Sequence, residues 1–282
     1  MAVRFIVDSA SDILPEEAES LGMIHLPLKV LFGEQEYADA VNLAHTEFYE
    51  KLAESENLPS TSQVPPADFA DAYEKIVNEG DTAVVVTISS RLSGTYQSAV
   101  IAADDYEGKV FVVDSLNATV GERILVMKGL EYAKAGLSAA EIKEKLDADK
   151  LRIRLGAIVD TLEYLKKGGR VSSAVAFVGG LLSIKPLIAV EDGKVEVIGK
   201  ARGTKQAQNQ LTEVAVKYGG INVKEPFGFV FSGNTDEHVK KYLAENPQLL
   251  EGWNREAPIC SVGCTIGTHV GPGAVGFAFF EA

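Results

Sequence analysis

The chain has 282 residues, enough for one large or two small domains. At 46% apolar and 24% charged residues it has a globular composition, which excludes a disordered tail, a collagen-like repeat and a coiled coil. Lys plus Arg number 27 against 40 Asp plus Glu, and a formal charge of -13 argues against nonspecific binding to nucleic acid or anionic membranes, without excluding a local basic site.

The first half alternates strands and helices. Phe5-Ile6-Val7 is a short apolar run of the kind buried on both faces of a sheet. Pro15, Glu16 and Glu17 open a helix that Gly22 ends. The spacing predicts one strand over 24–32, helices around Phe48 and Leu52 and over 66–78, and a buried strand over 82–88. A helix after Gly94, a strand over 110–113 and a long helix over 117–134 complete a mainly parallel sheet with helices on both faces. Beyond about residue 150 the pattern changes. After a charged amphipathic helix over 138–146 comes a strand over 155–159, then a hairpin over 187–198 turned at Asp192-Gly193. Helices over 205–218 and 237–243 and strands over 227–231, 259–262 and 274–280 follow. The expected architecture is α/β: residues 1–150 form a parallel-sheet domain and 151–282 an α+β domain with antiparallel hairpins.

Cys260 and Cys264 are the two cysteines. In one strand their Cα atoms would lie roughly 13 Å apart, too far for a disulfide. Two packed, reduced thiols fit a cytoplasmic protein. With only His269 nearby, no metal site is expected. No stretch approaches the roughly 18 uninterrupted apolar residues of a membrane span, so stable insertion is not expected.

Three segments carry polar residues where chemistry would sit. Pro59-Ser60-Thr61-Ser62-Gln63 is a stiff polar loop, which capping and turn formation alone would also explain. Ser89 to Ser98 follows a strand and opens a helix, where free amides and the positive dipole end suit a carboxylate or phosphate. There Ser93 and Thr95 supply hydroxyls and Gly94 permits close backbone approach, although Ser93 alone would serve as a cap. The third is a glycine-rich loop from Gly263 to Gly273 around His269, and a lone histidine among glycines is more often a turn residue than a ligand. His25, His45 and His238 receive no role. Arg91-Leu92-Ser93-Gly94-Thr95 lacks the nucleophile-elbow pattern, so a hydrolase or phosphoryl-transfer enzyme using Ser93 and His269 stays as the alternative reading. A basic cluster at 166–170 and 200–205, with Arg170 and Arg202, stands out against the acidic background; it is either a solvated helix end or a surface for an anionic partner.

Leu92-Ser93-Gly94-Thr95-Tyr96-Gln97-Ser98-Ala99, Val113-Asp114-Ser115, Tyr164 to Arg170, Lys185-Pro186 and Gly267 to Gly273, with Pro59 to Gln63 and the opening Asp8-Ser9-Ala10-Ser11-Asp12, together resemble the DegV family. The resemblance runs in order over about 3–280, as a single DegV-like unit. It implies a two-domain DegV-like fold holding a long-chain fatty acid, without a cofactor and without a complete active site. It also implies kinship with the lipid-binding subunit of bacterial fatty acid kinase, whose separate ATP-binding subunit phosphorylates the acyl carboxylate for phospholipid synthesis. On this resemblance Thr61 and Ser93 contact the carboxylate, with Ser62 and Gly94 beside them. His269 joins the network, and Arg170 and Arg202 engage the kinase. Residues 174–182 would line one wall of the acyl pocket, though ordinary core packing would explain them as well.

Overall fold

The computed structural model describes residues 2–171 and 184–281. The expected wall over 174–182 lies outside the described residues. The chain begins with β1 (Val3–Asp8), α1 (Pro15–Ser20), β2 (Ile24–Leu26), β3 (Lys29–Phe32), β4 (Gln35–Ala38), α2 (His45–Glu54), β5 (Ser60–Ser62) and α3 (Pro66–Asn78). It continues through β6 (Thr82–Thr87), α4 (Thr95–Ala103), β7 (Val110–Asp114), α5 (Thr119–Lys134) and α6 (Ala139–Asp149). Strands β2, β1, β6 and β7 form a parallel sheet in that order. Every residue of β6 is buried, as a strand covered on both faces requires. Ser138 starts α6 through a reciprocal capping box with Glu141.

The expected strand over 24–32 is two strands in two sheets. Pro27 has no amide to donate to a ladder, and the Leu28 amide donates instead to Ser9 Oγ at 3.0 Å. The chain therefore leaves the parallel sheet after β2 and begins a small antiparallel one, ordered β4-β3-β5.

The remainder comprises β8 (Ile153–Ile158), α7 (Glu163–Lys167), β9 (Ile184–Glu191), β10 (Lys194–Arg202), α8 (Thr204–Lys217), β11 (Phe227–Phe231), α9 (Glu237–Glu245), β12 (Ile259–Ser261), α10 (Cys264–Val270) and β13 (Val275–Phe280). The larger sheet runs β10-β9-β8-β13-β11-β12, antiparallel apart from the β11–β12 pair. Asp192 and Gly193 both have left-handed φ, 48° and 78°, as the tight β9–β10 turn demands. This is the α/β architecture expected from the strand pattern.

Helix α5 sits between the two large sheets, packing on β6 and also on β8, β11 and β13. One buried cluster accordingly joins Phe5, Val84 and Leu125 to Leu155, Ala278 and Phe280. The cysteines do not share a strand. Cys260 lies in β12 and Cys264 in the first turn of α10, and both thiols are free.

Candidate functional site

Three elements converge on one cavity of about 350 Å³ between the sheets. The first is β5. The loop expected around Ser60-Thr61-Ser62 is a short edge strand, because Val30 of β3 pairs with Thr61 through the backbone. The second is the segment from Ser89 to Gly94. Its start is tied down by Asp8, which accepts from the Ile88 amide at 2.8 Å, and by Asp114, which accepts from the Ser90 amide at 3.0 Å. Ser89 Oγ donates to the Gly193 carbonyl at 2.7 Å, linking this segment to the β9–β10 turn.

The third is α10, where a loop was expected. The helix forms because two distant carboxyls satisfy its first amides. Asp12 accepts from the Gly263 amide at 2.8 Å, and Asp39 accepts from Cys264 and Thr265 at 2.9 and 3.0 Å. Ser9 Oγ donates to Asp39 at 3.1 Å, and Thr119 Oγ1 donates to Asp12. Burial pushes the Asp8 and Asp12 carboxyls up to about 7, against the pull of their amide donors. The half-buried His45 borders this polar knot as well, since a Cβ added to Gly263 would lie 3.0 Å from its Nε2, although the sequence shows no polar cluster beside it.

Thr61, Ser62, Ser93, Gly94 and His269 all line the cavity, and so does Arg170. Thr61 Oγ1 and His269 Nε2 are 3.0 Å apart. Ser93 Oγ lies 2.9 Å from Thr95 Oγ1, just before the first turn of α4. Gly94 makes the convergence possible: a Cβ there would fall 2.0 Å from Gln63 Oε1, while the Gln63 amide donates to Ser98 Oγ at 2.7 Å. Gly168 does the same for the imidazole, since a Cβ on it would meet His269 Nδ1 at 2.2 Å.

Arg170 and Arg202 have different settings. The Arg170 guanidinium donates to the Leu92 carbonyl at 3.2 Å and to the Gly168 carbonyl at 2.5 Å, behind the polar end of the cavity. Arg202 is exposed at the end of β10 and does not line the cavity. Arg91 does not line it either. Among the described lining residues Arg170 is the single cation, and no Asp or Glu is present. Thr265, one turn before His269, also lines the cavity with a buried hydroxyl that has no partner. It was not expected, because its orientation depends on α10 being a helix. The rest of the lining is aliphatic, with Leu28, Ile88, Val159, Val230, Val262 and Ile266 contributing.

Burial, with the Arg170 charge beside it, brings the His269 imidazole down to about 4. The unfolded chain takes up a proton here below roughly pH 6.5 and the folded protein does not. This residue therefore withdraws stability as pH falls from about 6.5 toward 4. We predict that NMR of the His269 ring shows a neutral imidazole down to roughly pH 5; a midpoint near 6.5 would contradict the buried geometry. A Ser–His nucleophile pair is not formed, since Nε2 is engaged by Thr61 and Nδ1 is buried without a partner. The arrangement instead gathers hydroxyls, the start of a helix and the Arg170 cation in the lining of an otherwise largely aliphatic cavity.

A sequence model of the family described as "Uncharacterised protein, DegV family" matches residues 2–282. The chain belongs to the DegV family. A DegV domain-containing protein of Deinococcus radiodurans is 36% identical over 282 residues, covering 99% of this chain and 98% of that one. Two solved DegV-like folds superpose closely. A DegV family protein from Thermus thermophilus, described for its fatty acid binding, gives a TM-score of 0.88 at 32% identity over 100% of both chains. A stearic acid-binding protein from Eubacterium ventriosum gives 0.87 at 29% identity, over 100% of this chain and 98% of that one. Among the described residues of this DegV chain, no helix is long and apolar enough to cross a membrane, and no His, Cys, Asp and Glu group is arranged to hold a metal.

Proposed function

We propose that the protein binds one long-chain fatty acid in the cavity between its sheets and presents the carboxylate to a separate ATP-binding kinase subunit. The observation that carries this reading is a single cavity with aliphatic walls and its hydroxyls, Thr61, Ser62 and Ser93, gathered with His269 around the start of α4. In this reading the carboxylate accepts from Thr61, Ser93 and the backbone at Gly94, with Ser62 beside them and His269 holding Thr61. Burial of the acyl chain supplies most of the affinity, at roughly 0.8 kcal/mol per methylene. The fatty acids bound by the relatives from T. thermophilus and E. ventriosum support the ligand class.

The Thr61 and Ser93 hydroxyls donate to the carboxylate without cancelling its charge, and the Arg170 guanidinium in the same lining is already engaged by the Leu92 and Gly168 carbonyls, which suits a group that must later act as a nucleophile. In the kinase step a carboxylate oxygen attacks the γ-phosphorus of ATP on the partner subunit, the bond to ADP breaks, and an acyl phosphate results. The protein supplies position; the partner supplies ATP. Arg202, an exposed cation on a protein of charge -13, is a suitable contact for that partner. Arg170 would act from the cavity side.

The test is a coupled assay with the kinase subunit. Arg202→Ala should leave palmitate affinity unchanged and lower acyl-phosphate formation about tenfold, within the range for loss of an interfacial charge pair. Arg170→Ala should lower both. Normal turnover by Arg202→Ala at saturating palmitate would remove Arg202 from the partner surface. No acyl phosphate from the wild-type pair would remove the kinase role.

A further inference from the structure

At the end of the cavity remote from His269, two lining residues are shared with a second space. Along β8 and its exit the cavity is lined by Leu155, Ala157 and Val159, a run of roughly 13 Å at strand spacing. Val159 lies toward α7 and Arg170, so Leu155 marks the opposite end. The β8–β9 ladder ends at the Gly156–Ala189 pair, one residue short of Leu155 in β8 and of Val190 in β9, and Val190 pairs with Val195 of β10.

Leu155 and Val190 also line a second, more open groove of about 700 Å³ between the β9–β10 hairpin and α8. They are the only described residues common to both spaces. The backbone at the start of α5 follows the same divide, with Leu116 and Asn117 on the groove side and Ala118 and Thr119 on the cavity side. Leu155 is 5% exposed and braced against α5, where a Cβ on Gly121 would lie 3.1 Å from its Cδ1. Leu155 and Val190 therefore mark where the cavity meets a larger volume behind it.

We infer that Leu155 and Val190 are specificity-determining residues: their bulk sets the longest acyl chain the protein accepts. This rests on the fatty-acid reading above. A methyl end that reaches Leu155 and Val190 must stop or push the two side chains aside. Removing their outer carbons opens the way into the groove, where further methylenes can leave water. Adding bulk shortens the cavity.

The experiment is competition binding of palmitate, stearate, arachidate and behenate to delipidated full-length protein and to Val190→Ala, Leu155→Ala and Val190→Phe. Relative to palmitate, Val190→Ala and Leu155→Ala should raise the affinity of the first homologue the wild type disfavours on the order of tenfold, the gain from burying about two more methylenes. Val190→Phe should move the cut-off toward shorter chains. If Leu155→Ala fails to fold, the two Val190 variants decide the matter. An unchanged length profile in Val190 variants that melt normally and bind palmitate would overturn the inference alone. Failure of the wild type to bind any of the four acids would overturn the fatty-acid reading, and the inference with it.

Discussion

Thr61→Ala and Ser93→Ala should each weaken palmitate binding by about 1–3 kcal/mol, roughly five- to 150-fold, when measured by calorimetry on delipidated protein. A hydrogen bond to a charged acceptor has this magnitude because its loss leaves the carboxylate short of a donor in a water-poor site. The fold should be unaffected. Thr61 and Ser93 are both half-buried, and β5 is held by its backbone ladder with β3, which a Thr→Ala change retains. The double variant should lose less than the sum of the single losses, since both donors serve one carboxylate and the ligand can shift toward the donor that remains. Unchanged affinity in both single variants would place the carboxylate elsewhere.

Asp39→Ala should lower stability by about 3–5 kcal/mol, because it strips the Cys264 and Thr265 amides and Ser9 Oγ of a buried acceptor. Asp39 is fully buried, so bulk solvent does not satisfy the donors it leaves behind. The melting temperature should fall on the order of 10 °C for a chain of this size. The loss should also reach the ligand. Helix α10 carries His269 and Thr265, and its first turn depends on Asp39 and Asp12. Palmitate binding by the folded fraction should therefore weaken as well. Asp39→Asn keeps one acceptor oxygen and should lie between the two proteins in melting temperature. A normal melt for Asp39→Ala would show that α10 does not need this cap.

The parallel sheet was legible because buried strands such as Thr82–Thr87 are written as short runs rich in β-branched residues, and the helices because their apolar faces repeat. The β9–β10 hairpin was legible from Asp192-Gly193, whose turn chemistry is local. Features that depend on distant partners were not. Helix α10 is short and glycine-rich, and its capping carboxyls lie 225 and 251 residues away in the chain. Strand β5 has no apolar alternation and exists because β3 offers an edge. The break between β2 and β3 is local, at Pro27, but was passed over within an otherwise apolar stretch. Thr61, Ser62 and Ser93, which the family resemblance singled out, line the cavity, whereas composition alone left the Thr61 segment open to a capping role. The presence of Thr265 and Arg170 in the cavity lining required the three-dimensional arrangement.

The most direct test of the central claim is native mass spectrometry of the full-length protein purified from cells, followed by identification of whatever it releases on denaturation. The account predicts one long-chain fatty acid per chain, taken up again when the stripped protein is given palmitate and retained poorly by the Thr61→Ala, Ser93→Ala double variant. A protein that carries no acyl chain and takes up none, or that holds palmitate equally well without both hydroxyls, would contradict it.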